Sequence, residues 1–265
     1  MKSGLPLHAR DYVSGLAARG RYSFTSEEAR AALDVSAAAA RLALNRLAKQ
    51  GAVASPARGF YIIVPPEYRA LGSLPAEQFI PNLMQRLGVS YYTGLLSAAQ
   101  FHGAAHHRPQ EFQVMLGKPR RPILCGQVRV AFIVNRRVSQ TPVQSFNTPR
   151  GAILVSTPEA TAIDLVGYPE HAGGLDQVAT VLAELAEKID PGKLAAAAAA
   201  VPLPWAQRLG YLLELTEAPE KAQALRDYVR REAKEATLLL PSASAGGERR
   251  KDWKLIVNAD IEPEL

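Results

Sequence analysis

Arg41, Asn45, Arg46 and Lys49 recur along one segment at spacings that place them on one side of a helix. An arginine so placed can grip a guanine edge through two parallel hydrogen bonds, and an asparagine can do the same to an adenine edge. Arg46 and Lys49, on the flank, suit phosphates. Ser36 precedes the segment as a helix cap. Ala37 and Ala38 are small, so the backbone can come close and the methyls can touch thymine. Arg58, between two β-rich runs, can reach a phosphate or a minor groove. Ser36, Ala37, Ala38, Arg41, Asn45, Arg46, Lys49 and Arg58 are thus candidate contacts to double-stranded DNA. The competing reading is a protein–protein packing module with a solvated basic face, since the run Ala37–Ala40 offers few base contacts.

Local signals position these residues. Thr25 and Glu28 have the spacing of a capping box, which opens a helix over Ser26–Leu33. Asp34-Val35 ends it, and Ser36 caps a second helix over Ala37–Gln50. Ala40, Leu44 and Leu47 recur at helical period as its buried side, and Gly51 stops it. Ala52–Ala54 and Phe60–Val64 read as strands joined by the turn Ser55–Gly59, and Pro65-Pro66 ends the second. A helix over Leu7–Ala18, with Tyr12, Val13 and Leu16 inside, supports the unit from the front. The order predicts a winged helix-turn-helix domain over residues 1–70, whose second helix enters a major groove.

The chain of 265 residues carries +6 overall, unevenly spread. Residues 1–70 hold ten Lys/Arg against five Asp/Glu, 71–155 nine against two, and 156–265 twelve against eighteen. The first 155 residues are basic and the remainder is acidic, which argues for a polyanion partner without choosing among DNA, RNA and an acidic protein. The one cysteine, Cys125, excludes an internal disulfide and a cysteine-built zinc site, and its apolar neighbours suit a buried small hydrophobe. No leader-like or membrane-spanning apolar run is present, so the expected location is the cytoplasm, with no membrane partner.

Leu71–Pro75 reads as a linker or domain border, and 71–265 as a second domain. It opens with an amphipathic helix over Ala76–Leu87, the phrase Val89–Gly94 and a helix from Leu95 to His102. Residues 111–155 are β-rich, with runs at Phe112–Leu116, Val128–Val134, Val143–Phe146 and Ala152–Val155 separated by Gly and Pro. They predict a small, mostly antiparallel sheet. Between Glu111 and Glu159 no acid occurs, while Lys118, Arg120, Arg121, Arg129, Arg136, Arg137 and Arg150 do. These seven form a candidate basic surface. A helical layer follows over 157–236, opened by Thr157-Pro158-Glu159. Trp253–Asn258 reads as a strand returning to the sheet. The fold class is α+β: a winged helix-turn-helix, then a mixed domain with a sheet and a helical layer.

No catalytic constellation holds. His102 and His106 are four apart, with His107 beside them, but Gly103 lies between and no acid or cysteine completes a metal site. Phosphate-binding glycine loops and a nucleophile elbow are missing. Glu159 reads as favouring a helix dipole and Asp164 as a helix-surface or capping group. No enzyme, no catalytic residue and no cofactor is implied.

Several phrases, taken in order, resemble the AbiEi-type antitoxins of type IV toxin–antitoxin (abortive infection) systems. They are Gly59-Phe60-Tyr61, Val89–Tyr92 through Ser97–Gly103, Ser156–Leu165, Gln207–Leu213 and Trp253–Asn258. The resemblance implies an N-terminal winged helix that represses its own operon at inverted repeats. It also implies a C-terminal domain that opposes a nucleotidyltransferase-type toxin, through the toxin or its RNA or nucleotide substrate. Two other classes stay open: a ligand-responsive winged-helix transcription factor without a toxin partner, and a nucleotide-handling enzyme. The enzyme would need a carboxylate cluster, which the acid-free stretch argues against.

Overall fold

Tyr12, Val13 and Leu16 fall on one side of a helix, and the computed structural model, which describes residues 7–104 and 110–264, buries all three on α1 (Ala9–Ala18). A short strand, β1 (Ser23–Thr25), leads into α2 (Ser26–Leu33) and α3 (Ala37–Lys49), followed by β2 (Val53–Ala57) and β3 (Phe60–Ile63). β3 lies between β1 and β2 and is antiparallel to both. Leu44 and Leu47 pack with Phe24, Ala29, Leu33, Val53 and Ile63, and Ala40 is buried on the same side, as the period requires. Fully burying a leucine is worth about 2 kcal/mol, so α3 is held chiefly by this face.

The helix expected over Ala76–Leu87 is broken. A 3-10 turn covers Ala76–Gln78, and α4 begins at Ile80 and runs to Leu87. Pro81 explains the break: it lacks an N–H and its ring would strike the carbonyl of Glu77. Leu71–Pro75, expected as a linker or domain border, is not a loose linker but is packed. Ser73 and Leu74 are fully buried, and Gln127 N donates to the Leu71 carbonyl at 2.8 Å. Gly126 sits so close that a Cβ there would lie 2.2 Å from that same carbonyl oxygen.

The chain continues through β4 (Tyr91–Thr93), α5 (Leu95–Phe101), β5 (Phe112–Leu116), β6 (Ile123–Cys125), β7 (Val128–Val134), β8 (Val143–Thr148) and β9 (Gly151–Ser156). Then come α6 (Pro158–Gly167), α7 (Leu175–Leu185), α8 (Pro191–Ala198), α9 (Leu203–Leu215), α10 (Pro219–Glu232), β10 (Thr237–Leu238), β11 (Glu248–Arg250) and β12 (Leu255–Val257). Contacts divide the chain into two compact units. One comprises Met1–Tyr91, Gln110–Val138 and Ser145–Leu154; the other comprises Tyr92–Pro109, Ser139–Gln144 and Val155–Leu265.

Two expectations about strands need correction. The β-rich region is mixed rather than mostly antiparallel. In the first unit β5 and β7 run parallel, from Phe112↔Val130 to Leu116↔Val134, and only β6 is antiparallel to β7. The strands do alternate in direction along the chain, but β7 lies between β5 and β6, which makes one pair parallel. In the second unit β4 meets β9 in parallel at Thr93↔Val155. The tail does not return to those strands either. β12 lies between β10, parallel to it, and β11, antiparallel. Gln207 on α9 captures it, donating to the carbonyls of Trp253 at 3.1 Å and Lys254 at 2.8 Å. The Trp253 ring lies against Gly210, where a Cβ would come within 2.0 Å of it.

Asp164 is a third correction. It is not on a helix surface: α6 is buried from Glu159 to Val166. Tyr92 Oη donates to Asp164 Oδ2 at 2.7 Å. Burial disfavours the charge and pushes the carboxyl up to about 7 from 3.8, although the tyrosine bond acts the other way. The folded chain therefore holds a proton that the unfolded chain has lost. The contribution of Asp164 to stability is complete below about pH 4 and is lost as pH rises through about 7. Asp164→Asn keeps an acceptor for Tyr92 and cannot ionise. Thermal melts from pH 4 to 8 should show a flatter profile for this variant and a higher melting temperature at pH 8; parallel profiles would show that Asp164 does not titrate in this window.

Candidate nucleic-acid interface

The helix pair that carries the candidate DNA contacts is fixed by its caps. Thr25 Oγ1 accepts from Glu28 N at 3.1 Å, and Glu28 Oε2 accepts from Thr25 N at 2.7 Å, closing the capping box. Glu28 also pairs with Arg21. These bonds to its charged form hold the Glu28 carboxyl below its ordinary range, outweighing partial burial, the largest single influence. Asp34 ends α2 in the left-handed region at φ 51°, and Ser36 Oγ accepts from Ala39 N at 3.2 Å to start α3. With Ala40, Leu44 and Leu47 inside, Ala37, Ala38, Arg41, Asn45, Arg46 and Lys49 are all exposed, as is Ser36. Leu42 joins that exposed side at 57 %. Sequence reasoning passed over it, although an uncovered leucine among polar neighbours suits contact with a thymine methyl.

The turn Arg58-Gly59 joins β2 to β3, with Ala57 opposite Phe60. Arg58 is exposed at its tip. The turn is tied from three directions. Ser55 Oγ donates to the carbonyls of Ala57 and Phe60, each at 3.0 Å. Ser26 N donates to the Gly59 carbonyl at 3.0 Å. Arg86 Nη1, from α4, donates to the Arg58 carbonyl at 3.2 Å. Arg86 was not among the residues singled out in the sequence, because nothing local links it to position 58.

The basic residues of the β-rich region separate into three groups. Lys118 follows β5 and Arg136 and Arg137 follow β7; the parallel register Leu116↔Val134 puts those ends together. Arg120 and Arg121 lead into β6 at the same end, and Arg120 lies 5.7 Å from the centre of the Phe132 ring. Arg129 sits within β7 opposite Leu124, towards the other end. Arg150 leaves the set. Its side chain is 11 % exposed, its Nη1 donates to Gln78 Oε1 at 2.6 Å, and its guanidinium lies 3.9 Å from the Tyr22 ring centre. Glu67 is 3.5 Å away. Arg150 cements β9's start to β1 and the turn before α4 rather than facing solvent.

Of the three histidines considered for a metal, His106 and His107 lie outside the described residues. His102 Nε2 lies 2.8 Å from the Ser156 carbonyl, to which it must donate, and its Nδ1 then accepts from Gln144 Nε2 at 3.4 Å. Burial lowers its pKa, which suits this neutral form. Among the described residues no group of three or more His, Cys, Asp or Glu could hold a metal ion. No helix among them is long and apolar enough to cross a membrane.

Residues 92–215 match the family model described as the AbiEi antitoxin C-terminal domain. That stretch is similar to an AbiEi antitoxin domain. A crystal structure of the RV2827C protein from Mycobacterium tuberculosis shares the fold, with a TM-score of 0.66 at 19 % identity over 94 % of this chain and 90 % of that one. No curated protein sequence matches the chain.

Tyr92, Ser156, Glu159, Thr161 and Asp164, from the phrases that resemble the AbiEi family, are buried. Tyr92 holds Asp164, and His102 holds the Ser156 carbonyl. The Ser156 and Thr161 hydroxyls share a bond of 2.7 Å. Glu159 Oε1 accepts from Asp190 N at 3.0 Å, fixing the start of α8. These side chains bond to one another and to nearby main chain, and they position α6, α8 and the end of β9.

Arg150 supplies a test of its reassignment. Arg150→Met should lower unfolding stability by about 1–3 kcal/mol, because it strands Gln78 and uncovers Tyr22. Arg150→Lys should recover only part, since an ammonium has neither the fork nor the flat face. Denaturant midpoints at unchanged slope give the answer; a neutral Met variant would return Arg150 to the solvated surface.

Proposed function

We propose that this chain is the antitoxin of a type IV toxin–antitoxin system and represses its own operon. In this reading residues 1–70 are a winged helix-turn-helix DNA-binding domain and 71–265 the antitoxin domain. The observation that carries the DNA reading is the exposed side of α3. It offers Arg41 and Asn45 beside a wing tip, Arg58, whose turn is held through its main-chain carbonyls by Ser26, Ser55 and Arg86. The element order α1-β1-α2-α3-β2-β3 and the positive charge of the first 155 residues support it. α3 enters the major groove with its first turns towards base edges, and Ser36, Ala37 and Ala38 allow close approach. Arg46, Lys49 and Arg58 meet phosphates. The operator is duplex DNA with inverted repeats.

The AbiEi domain supports the antitoxin half. The protein acts by binding, without a reaction of its own. Its partner is a nucleotidyltransferase-type toxin or that toxin's RNA or nucleotide substrate. The surface for this meeting is the basic end of β5–β7, with Lys118, Arg120, Arg121, Arg136 and Arg137, and Arg129 beyond it.

Two experiments test the halves separately. In anisotropy titrations on DNA from upstream of the gene, Arg41→Ala should lose about 1–3 kcal/mol of preference over random duplex. Lys49→Ala should weaken both DNAs alike and reduce the salt slope by about 1. Equal effects of both changes on both DNAs would refute the assignment. For the antitoxin half, the chain should relieve growth arrest by a neighbouring toxin gene when co-expressed. Arg136→Glu with Arg137→Glu should fail to do so while still binding operator.

A further inference from the structure

A cleft of about 720 Å³ opens beside α3 and the wing, and its lining carries Arg30, Arg41, Arg58 and Arg86 against a single acid, Glu27. Arg41 and Arg58 belong to the helix and the wing tip already described. The other two come from elsewhere: Arg30 from the last turn of α2, and Arg86 from α4, beyond residue 70. Four guanidinium groups around one carboxylate repel one another in the free protein, and an anion within the cleft relieves that repulsion. Arg30 is exposed. Arg86 Nη2 is 3.9 Å from Glu27, and its Nη1 donates to the Arg58 carbonyl at 3.2 Å. A guanidinium has five donors, so these two contacts leave others to face the cleft.

The shape identifies the anion. A helix in a major groove and a wing against the neighbouring minor groove are separated by one sugar–phosphate strand. That strand must pass between helix and wing, where the arginines lie. We infer that the cleft is a phosphodiester slot, in which Arg30 and Arg86 clasp the DNA strand between the two grooves. The inference rests on the DNA-binding reading and adds two contacts to it, one from outside the first 70 residues. Arg86 has a double part: it holds the wing tip through a main-chain carbonyl and meets a phosphate with its remaining donors. Glu27 opposes the incoming strand.

The test uses the full chain, a labelled duplex from upstream of the gene and a random duplex of equal length, at several salt concentrations. Arg30→Gln and Arg86→Gln should each lower the slope of log affinity against log salt by about 0.9, with equal fold-loss on both duplexes. Glu27→Gln should tighten binding to both, and Arg86→Lys should retain the slope while losing part of the affinity. Unchanged melting temperatures show that the variants are folded. Variants that titrate like the wild-type chain, which itself binds with a normal salt slope, would overturn the slot and leave the DNA reading intact. A loss for Arg86→Gln at unchanged slope would overturn its phosphate contact and assign it to wing position alone. A wild-type chain that binds neither duplex would remove the DNA reading itself, and the slot with it.

Discussion

Phe60 and Ile62 share one buried cluster with Leu74, Phe79, Leu83 and Met84 around α4, and with Val114, Cys125 and Val130 of the sheet strands. The rest of the first unit depends on this sharing. β3 alternates its side chains between two cores: Phe60 and Ile62 belong to this one, Ile63 to the cluster of α1, α2 and α3. The β2–β3 hairpin is therefore joined to two cores through β3 rather than standing free. A two-stranded hairpin alone is marginal in water. Here its position relative to α3 is set by packing, by the Ser26–Gly59 bond and by Arg86. Such rigidity suits the proposed match to a duplex, because adjustable contacts lose affinity to ordering.

The second unit is organised by a different principle. Within the stretch similar to the AbiEi model, several polar groups are matched by hydrogen bonds: Tyr92 with Asp164, His102 with Ser156, Ser156 with Thr161, and Glu159 with the start of α8. Such groups stabilise little in net terms, yet leaving one unmatched is costly. They act as specifiers of where α6 and its neighbours sit.

How much of this could be read in the sequence follows the range of the interactions involved. Thr25 with Glu28, Ser36 with Ala39, and the period of Ala40, Leu44 and Leu47 are local, and each was readable as a cap or a face. Short strands were not. β1 and β6 are three residues long, too short to show a period, and the place of β7 between β5 and β6 is a matter of packing. Asp164 looked like a surface acid because its partner is 72 positions away. Arg150 looked like part of a basic surface because Tyr22, Glu67 and Gln78 are equally remote. The tail strand went to its own sheet because Gln207 and Gly210, far upstream, receive it. For the candidate interface, the α3 and wing-tip residues were legible from type and spacing. Arg30 and Arg86 were not, since they join the others only in space.

In the proposed function α3 and the wing together read duplex DNA. Hydroxyl-radical footprinting of the full chain on DNA upstream of its own gene tests it most directly. The account predicts protected sugars on both sides of one major groove and in the adjoining minor groove, repeated in the second arm of an inverted repeat. Unprotected DNA at saturating protein, or uniform protection without groove periodicity, would contradict it.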